Sequence, residues 1–127
     1  MLTVASSCVE NNTYQEKLKD PALYNAAMKQ LTEVIVHDIF SPPVASRVYA
    51  YPNIAAYEIM AQAFPDKFIS LSGQLSDFTA IPKNDDPQVN VYLAALHAFL
   101  TVGTELIFSE DKMQAFQDQT YQALQAD

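Results

Sequence analysis

The sequence predicts an all-α fold, a portion of a helical bundle with about five helices. The 127-residue chain is 50% hydrophobic and 17% charged, a balance typical of a globular domain. It contains only two glycines, whereas tight β-hairpins favour glycine in their turns. Its apolar residues recur at helical spacing. At this length, one domain with one core is the expected organisation.

The first predicted helix begins at Asp20-Pro21 and runs to about Phe40. An aspartate is a favoured N-cap, and proline is tolerated at the first helical position. One apolar stripe follows at helical spacing, formed by Leu23, Ala27, Leu31, Ile35 and Ile39. Residues 1–19 precede this helix and are expected to be disordered, and residues 20–127 are expected to form the helical region.

The second predicted helix covers residues 43–63. The run Ser41-Pro42-Pro43 ends the first helix and begins the second, because the residue before a proline avoids the helical conformation. Pro52 lies inside this helix, where it removes one backbone hydrogen bond and crowds the carbonyl of Val48. We therefore expect a kink or break near residues 48–51.

The remaining chain predicts a short helix at residues 71–78, a loop at 81–87, a long helix at 88–108 and a final helix after Ser109. The long helix is apolar on almost every side, which is typical of a helix buried by its neighbours. Polar residues interrupt it and no basic flanks follow, so a transmembrane helix is not expected. In the final helix, the candidate buried positions are Met113, Phe116, Tyr121 and Leu124.

The charge of the chain excludes one class of partner. Fifteen acidic side chains face seven basic ones, which gives a formal net charge of −8. Such a chain repels the phosphates of nucleic acids and the surfaces of anionic membranes. Nucleic-acid binding is therefore not expected.

Cys8 is the single cysteine and follows the small residues Ala5, Ser6 and Ser7. This order resembles the end of a bacterial lipoprotein signal, whose cysteine is lipidated after cleavage. However, no basic residue precedes it, and the apolar stretch is far shorter than the ~7–15 residues of a complete signal. Two interpretations stay open: Cys8 is a lipidation site at the remnant of such a signal, or it is a free thiol in a disordered terminus.

Two histidines raise the question of a metal site. Glu33 and His37 lie four residues apart and share a helix face, and His97 and Glu105 lie on the long helix. The helical two-metal sites use Glu-x-x-His pairs on two helices, and this chain has none. We expect no metal site. The polar line of Asn90, His97, Thr101 and Thr104 is interpreted as a face toward solvent or a polar neighbour, with a ligand pocket as the alternative.

Asp38 is placed inside the apolar stripe of the first helix, where a carboxylate needs a partner. Two partners are near in sequence: the free backbone N–H groups at the start of the second helix, and the guanidinium of Arg47. We expect Asp38 to bridge to one of these in a structural role. No Gly-x-Ser-x-Gly turn for a nucleophilic serine and no phosphate-binding glycine loop occurs.

Three long runs resemble the N-terminal helical region of bacterial proteins in the vanadium-dependent haloperoxidase and type-2 phosphatidic acid phosphatase superfamily. They are QLTEVIVHDIFSPPVASRVYAYPNIAAYEIM, FPDKFISLSGQLSDFTAIPK and LAALHAFLTVGTELIFSEDKM, and the likeness covers about residues 28–113. The resemblance implies a helical bundle, vanadate or phosphate as ligand of the complete domain, and downstream catalytic helices as partners. It also implies a cell-envelope or periplasmic lipoprotein, which supports lipidation at Cys8.

The family's oxyanion site uses a lysine–arginine–proline motif, a Pro-Ser-Gly-His motif and a Ser-Arg…Gly-x-His motif. Ser46-Arg47 resembles the start of the third motif, but Tyr51 and Asn53 stand where glycine and histidine belong. Arg47 is the only arginine, and no Pro-Ser-Gly-His occurs. No catalytic residue, metal ligand or cofactor is therefore assigned within this chain. The missing motifs are expected after Asp127, where the chain ends in mid-helix without a stop signal.

Three hypotheses follow. The first is the N-terminal helical part of a larger envelope phosphatase or haloperoxidase, inactive by itself. The second is a stand-alone helical binding or interaction module without catalysis. The third is an unrelated small helical protein that binds metal through its histidines.

Overall fold

The computed structural model describes residues 13–126, and these contain five α-helices and no β-strand. The helices are α1 (Thr13–Lys19), α2 (Pro21–His37), α3 (Pro42–Ala63), α4 (Val91–Glu105) and α5 (Glu110–Gln125). The predicted all-α class is therefore confirmed. Within the same residues, no helix has both the length and the apolar character needed to cross a membrane.

Helix α2 begins as its sequence predicts. Asp20 is the N-cap, and its side chain accepts a hydrogen bond of 2.8 Å from the backbone N–H of Ala22. Pro21 occupies the first helical position, where its missing N–H costs nothing. One residue of the predicted apolar stripe is not buried. Ile39 lies outside the core, because α2 ends at His37 and the chain turns there.

The turn after α2 is a Schellman motif. The N–H of Phe40 bonds to the carbonyl of Ile35 and the N–H of Ile39 to that of Val36, at 3.2 Å each. Ile39 has a φ of 56°, the left-handed conformation that this motif requires. Glycine is the usual residue at this position because a Cβ atom is strained there. An isoleucine is a rare occupant, since its branched side chain adds to the strain.

Helix α3 continues without a break through Pro52, so the predicted break is absent. Pro52 is buried where α3 packs against α4, close to Gly103. A Cβ atom at Gly103 would lie 3.7 Å from the Cγ of Pro52 and 3.6 Å from Leu31. These are ordinary van der Waals distances, so Gly103 lies at the tight junction of α4 with the proline ring and α2, and a methyl group would also fit there. Packing against α4 holds α3 together at the point where the proline removes a backbone hydrogen bond.

Two predictions about local structure were wrong. Residues 13–19, expected to be disordered, form α1, which is held by the burial of Leu18. Residues 71–78, expected to be helical, form turns with one isolated bridge between Ser72 and Leu75. Gly73 and Asp77 have φ values of 78° and 58° there, which no right-handed helix accommodates. This segment takes its shape from the hydrogen bonds that Glu58 on α3 makes with Ser70 and Leu71.

The core lies between α2, α3, α4 and α5, and the contact between α3 and α4 is the most extensive of the fold. The largest fully buried side chains include Phe99, Leu100, Leu31, Met113 and Val34. Of the positions predicted to be buried in α5, Met113 is fully buried, and Phe116 and Tyr121 pack against the core as partly buried residues. The nearly uniform apolar character of α4 follows from its central position, because α1, α2, α3 and α5 all contact it.

Candidate functional site

The Asp38 carboxylate joins two distant corners of the chain. It accepts hydrogen bonds from the backbone N–H of Phe108 at 2.9 Å, from the N–H of Ser109 at 3.0 Å, and from the Ser109 hydroxyl. Ser109 is the N-cap of α5, as predicted, but its side chain makes no cap bond within that helix. The Asp38 carboxylate binds the backbone N–H of this N-cap residue and not an N–H within the helix, and its negative charge lies at the favourable end of the α5 dipole.

The same contacts set the acidity of Asp38. Its partial burial acts to raise the pKa of the carboxyl. The hydrogen bonds from the Ser109 hydroxyl and from the N–H groups of Ser109 and Phe108 act in the opposite direction, with a contribution from the charge of His37. The net result is a pKa below the ordinary value, so the carboxylate is fully ionised near neutral pH.

The predicted partner of Asp38 was wrong. Asp38 forms a structural bridge, but to the corner between α4 and α5 and not to the start of α3 or to Arg47. The turn at Ile39 separates Asp38 from the first residues of α3, whose own N–H groups at Val44 and Ala45 bond to Ser41. Arg47 lies exposed on α3, and residues 13–126 supply no hydrogen-bonded or ionic partner for its guanidinium. Cys8 lies outside the described residues.

The candidate metal ligands do not converge. Glu33 pairs with Lys29 at 2.7 Å on the exposed face of α2. The Nδ1 atom of His97 lies 2.7 Å from the hydroxyl of Tyr121 on α5. In the part of the chain that the structure describes, no three His, Cys, Asp or Glu side chains come together to hold a metal ion.

The polar line on α4 has mainly local roles. The side chain of Asn90 caps α4 by accepting from the N–H of Leu93 at 3.1 Å. The hydroxyl of Thr104 donates to the carbonyl of Leu100 in the preceding turn at 2.8 Å. Thr101 is exposed. His97 and Tyr121 do border an open cavity of about 800 Å³, but its other walls are largely apolar.

Glu58 is a buried acid that sequence reasoning did not single out. It is 2% exposed on α3 and accepts hydrogen bonds from the Ser70 hydroxyl and the N–H of Leu71, each at 2.7 Å. The sequence held one indication of this burial: Glu58 lies three residues before the apolar Ala61 and so shares its helix face, which the structure shows to be buried. These two bonds anchor the segment after α3, which explains why residues 71–78 do not form a helix.

The best-formed cavity among the described residues is an apolar groove of about 690 Å³ between the α1–α2 junction, α3 and α4. Among its part-buried polar contacts, the hydroxyl of Tyr24 donates to Oδ1 of Asn53 at 2.9 Å, and Nδ2 of Asn53 donates to the carbonyl of Tyr49 at 2.8 Å. Burial raises the pKa of Tyr24 to about 12, so the phenol stays protonated. Lys19 at the rim pairs with Glu16 at 3.0 Å. The groove suits an apolar group and offers no cluster of cations for an oxyanion.

Comparisons with known proteins agree with the resemblance carried by the sequence. The chain is similar to a crystal structure described as that of the first bacterial vanadium-dependent iodoperoxidase, with 47% sequence identity and a TM-score of 0.79. The similarity covers 84% of this chain but 26% of the iodoperoxidase chain. No protein-family model matches the chain, and no curated protein matches it. The predicted kinship with the vanadium-dependent haloperoxidases is thus confirmed for a region that spans about a quarter of such a protein.

Proposed function

We propose that this chain, which matches a helical quarter of a bacterial vanadium-dependent haloperoxidase, is the N-terminal helical part of such a protein. In this role it packs beside the catalytic helices and shapes their surroundings, without carrying out chemistry itself. The observation that carries the proposal is the 47% identity over 84% of the chain against a protein of which it spans 26%.

The residues present do not fit vanadate or phosphate. An oxyanion with several negative oxygens is held by guanidinium forks and further cations. This chain has a single arginine and a net charge of −8, and Arg47 lies exposed on α3. No step of halide oxidation or of phosphate ester hydrolysis is therefore assigned to these residues. The oxyanion site belongs to the partner helices in this proposal.

The experiment is an activity assay of the full 127-residue chain. With vanadate, hydrogen peroxide and iodide or bromide, we expect no oxidised halogen above the blank. With a phosphate monoester or phosphatidic acid, we expect no released phosphate. The bacterial iodoperoxidase serves as the positive control for iodide oxidation. Turnover by the purified chain in either assay would overturn the proposal that it is inactive alone.

The proposal extends to the cell envelope through Cys8. The small residues Ala5, Ser6 and Ser7 before it form the kind of sequence that lipoprotein signals place before their lipidated cysteine. Growth of the native host with labelled palmitate should label the protein, and Cys8→Ser should abolish the label. A wild-type protein without label would remove the lipid anchor from the proposal and leave the helical role unchanged.

A second candidate function is a stand-alone helical binding module. The observation in its favour is the apolar groove of about 690 Å³, which is large enough for a small apolar ligand. The nucleotide sequence downstream of this chain distinguishes the two functions. A reading frame that continues into a Pro-Ser-Gly-His motif with further arginines supports the haloperoxidase part, and a stop codon directly after Asp127 supports the module.

A further inference from the structure

An exposed apolar surface lies where the α2–α3 corner meets the α4–α5 corner. We call it the apolar corner and define it by Val36, Ile39, Phe40 and Phe108. Ile39 is 88% exposed, Phe108 78% and Val36 71%, whereas the ring of Phe40 is half-buried. The rings of Phe40 and Phe108 stack with their centroids 4.9 Å apart. This ring pair joins two distant parts of the chain, and Val36 and Ile39 add two exposed apolar side chains within four residues of Phe40.

The apolar corner is held in place by polar contacts behind it. Asp38 lies between Val36 and Ile39 in sequence, and its carboxylate binds the backbone N–H of Phe108. The bonds of Asp38 to Ser109 fix the same loop a second time. A surface whose members are fixed before binding loses little conformational freedom when a partner covers it.

Ile39 has a strained backbone conformation that no contact within the described residues offsets. It is a β-branched residue in the left-handed conformation, where glycine is the usual choice. Its side chain is almost fully exposed, so no packing within residues 13–126 compensates for the strain. Strain of this kind is characteristic of functional positions, where a contact made elsewhere accounts for it. The missing contact would have to be apolar, because the side chain offers nothing else.

We propose that the apolar corner is the surface on which the remaining helices of a haloperoxidase domain pack, through an apolar face of their own. This rests on the proposed function. The occupant follows from the match to the iodoperoxidase: the chain spans 26% of that protein, so about three quarters of a domain of this kind lies outside the region described here. An uncharged surface of isoleucine, valine and phenylalanine on a chain of net charge −8 selects an apolar protein face over a charged partner.

The test uses a chimera in which the full 127-residue chain replaces the matched quarter of the bacterial iodoperoxidase. The substitutions Ile39→Asp and Phe108→Asp place a charge in the apolar corner. The matched control is Ile69→Asp, because Ile69 is 76% exposed and so resembles Ile39 in type and exposure. Its segment is anchored to Tyr57, about 20 Å along α3 from the corner. The intact iodoperoxidase is prepared in parallel.

We expect the unsubstituted chimera to oxidise iodide with vanadate. Ile39→Asp and Phe108→Asp should each lower the yield of soluble, active chimera by about tenfold or more, because each loses a large apolar contact and buries a charge. Phe108→Leu should retain most of the yield, and Ile69→Asp should stay within about twofold of the unsubstituted chimera.

The outcomes separate the two proposals. A chimera without activity, beside an active parent enzyme, would overturn the proposed function and the apolar corner with it. An active chimera in which the corner variants behave like Ile69→Asp would overturn the apolar corner alone. A dimer of the isolated chain that Phe108→Asp converts to monomer would show that a second copy occupies the surface, which also overturns this proposal.

Discussion

The carboxylate of Asp38 binds the N-cap residue Ser109 across 71 positions of sequence, through both the hydroxyl and the backbone N–H. Asp38 is the C-cap of α2 through its backbone N–H, and its side chain fixes the loop that carries Phe108 and leads into α5. Asp38 directly follows α2, and the loss of its carboxylate would leave the N–H groups of Phe108 and Ser109 at the start of α5 without this acceptor.

Asp38→Ala should therefore lower the free energy of unfolding by about 1–2 kcal/mol, the range for a lost helix cap with charge-assisted hydrogen bonds. Denaturant unfolding followed by circular dichroism measures this change. Arg47→Ala is the control, since Arg47 is exposed and should change the free energy by no more than about 0.5 kcal/mol. An equal loss in the two variants would mean that Asp38 pairs with Arg47 after all.

The depressed pKa of Asp38 makes part of the stability dependent on pH. A carboxyl whose pKa is lower in the folded state contributes stability above its unfolded pKa and loses it as the pH falls through the folded pKa. We expect the free energy of unfolding to decrease below about pH 4, where the ordinary aspartate pKa lies. Titrations of the wild type and Asp38→Ala from pH 7 to 2.5 should converge at the acidic end. A constant difference between them would exclude this linkage.

The sequence could predict the features that depend on residues close together in the chain, such as the starts of helices. Asp20-Pro21 and Ser41-Pro42 act within one turn of the helices they begin, so their positions were predicted to within a residue or two. The apolar stripe of α2 was predicted for the same reason, as far as the residue where the helix ends. The fold class follows from such local signals, since helices are specified mainly by contacts three or four residues apart.

Long-range partners could not be predicted in this way. The Asp38 carboxylate needed a hydrogen-bond donor, and the start of any helix offers several free N–H groups. Which helix start it meets, here that of α5, depends on how the helices pack. The helix expected at residues 71–78 was wrong because Glu58 binds Ser70 and Leu71 from α3, a contact that local propensity does not contain. The continuity of α3 through Pro52 is likewise a matter of tertiary packing, because the proline is buried against α4.

Glu58 gives a prediction about the segment it anchors. Glu58→Ala should lower the free energy of unfolding by about 2 kcal/mol or more, because it leaves the N–H of Leu71 and the hydroxyl of Ser70 without their acceptor. The amide of Leu71 should also exchange its hydrogen faster. Glu105→Ala on α4 is the matched control, since that glutamate is exposed and should change stability by no more than about 0.5 kcal/mol. Unchanged exchange at Leu71 would show that the segment keeps its shape without Glu58.

A substitution at Ile39 should increase the free energy of unfolding, whereas those at Asp38 and Glu58 should decrease it. Ile39→Gly should raise the free energy of unfolding of the isolated chain by about 0.5–1 kcal/mol, because it removes strain of about 1–2 kcal/mol and loses part of this gain to the flexibility of glycine in the unfolded state. Little packing is lost, as the side chain is 88% exposed. Ile69→Gly serves as the control, because Ile69 is also exposed but its φ is not positive, so no strain is relieved and stability should stay equal or fall. Thermal and denaturant unfolding of the three chains measures both effects. A loss of stability in Ile39→Gly would mean that the isoleucine already makes its stabilising contacts within this chain, and the strain would then no longer indicate a partner.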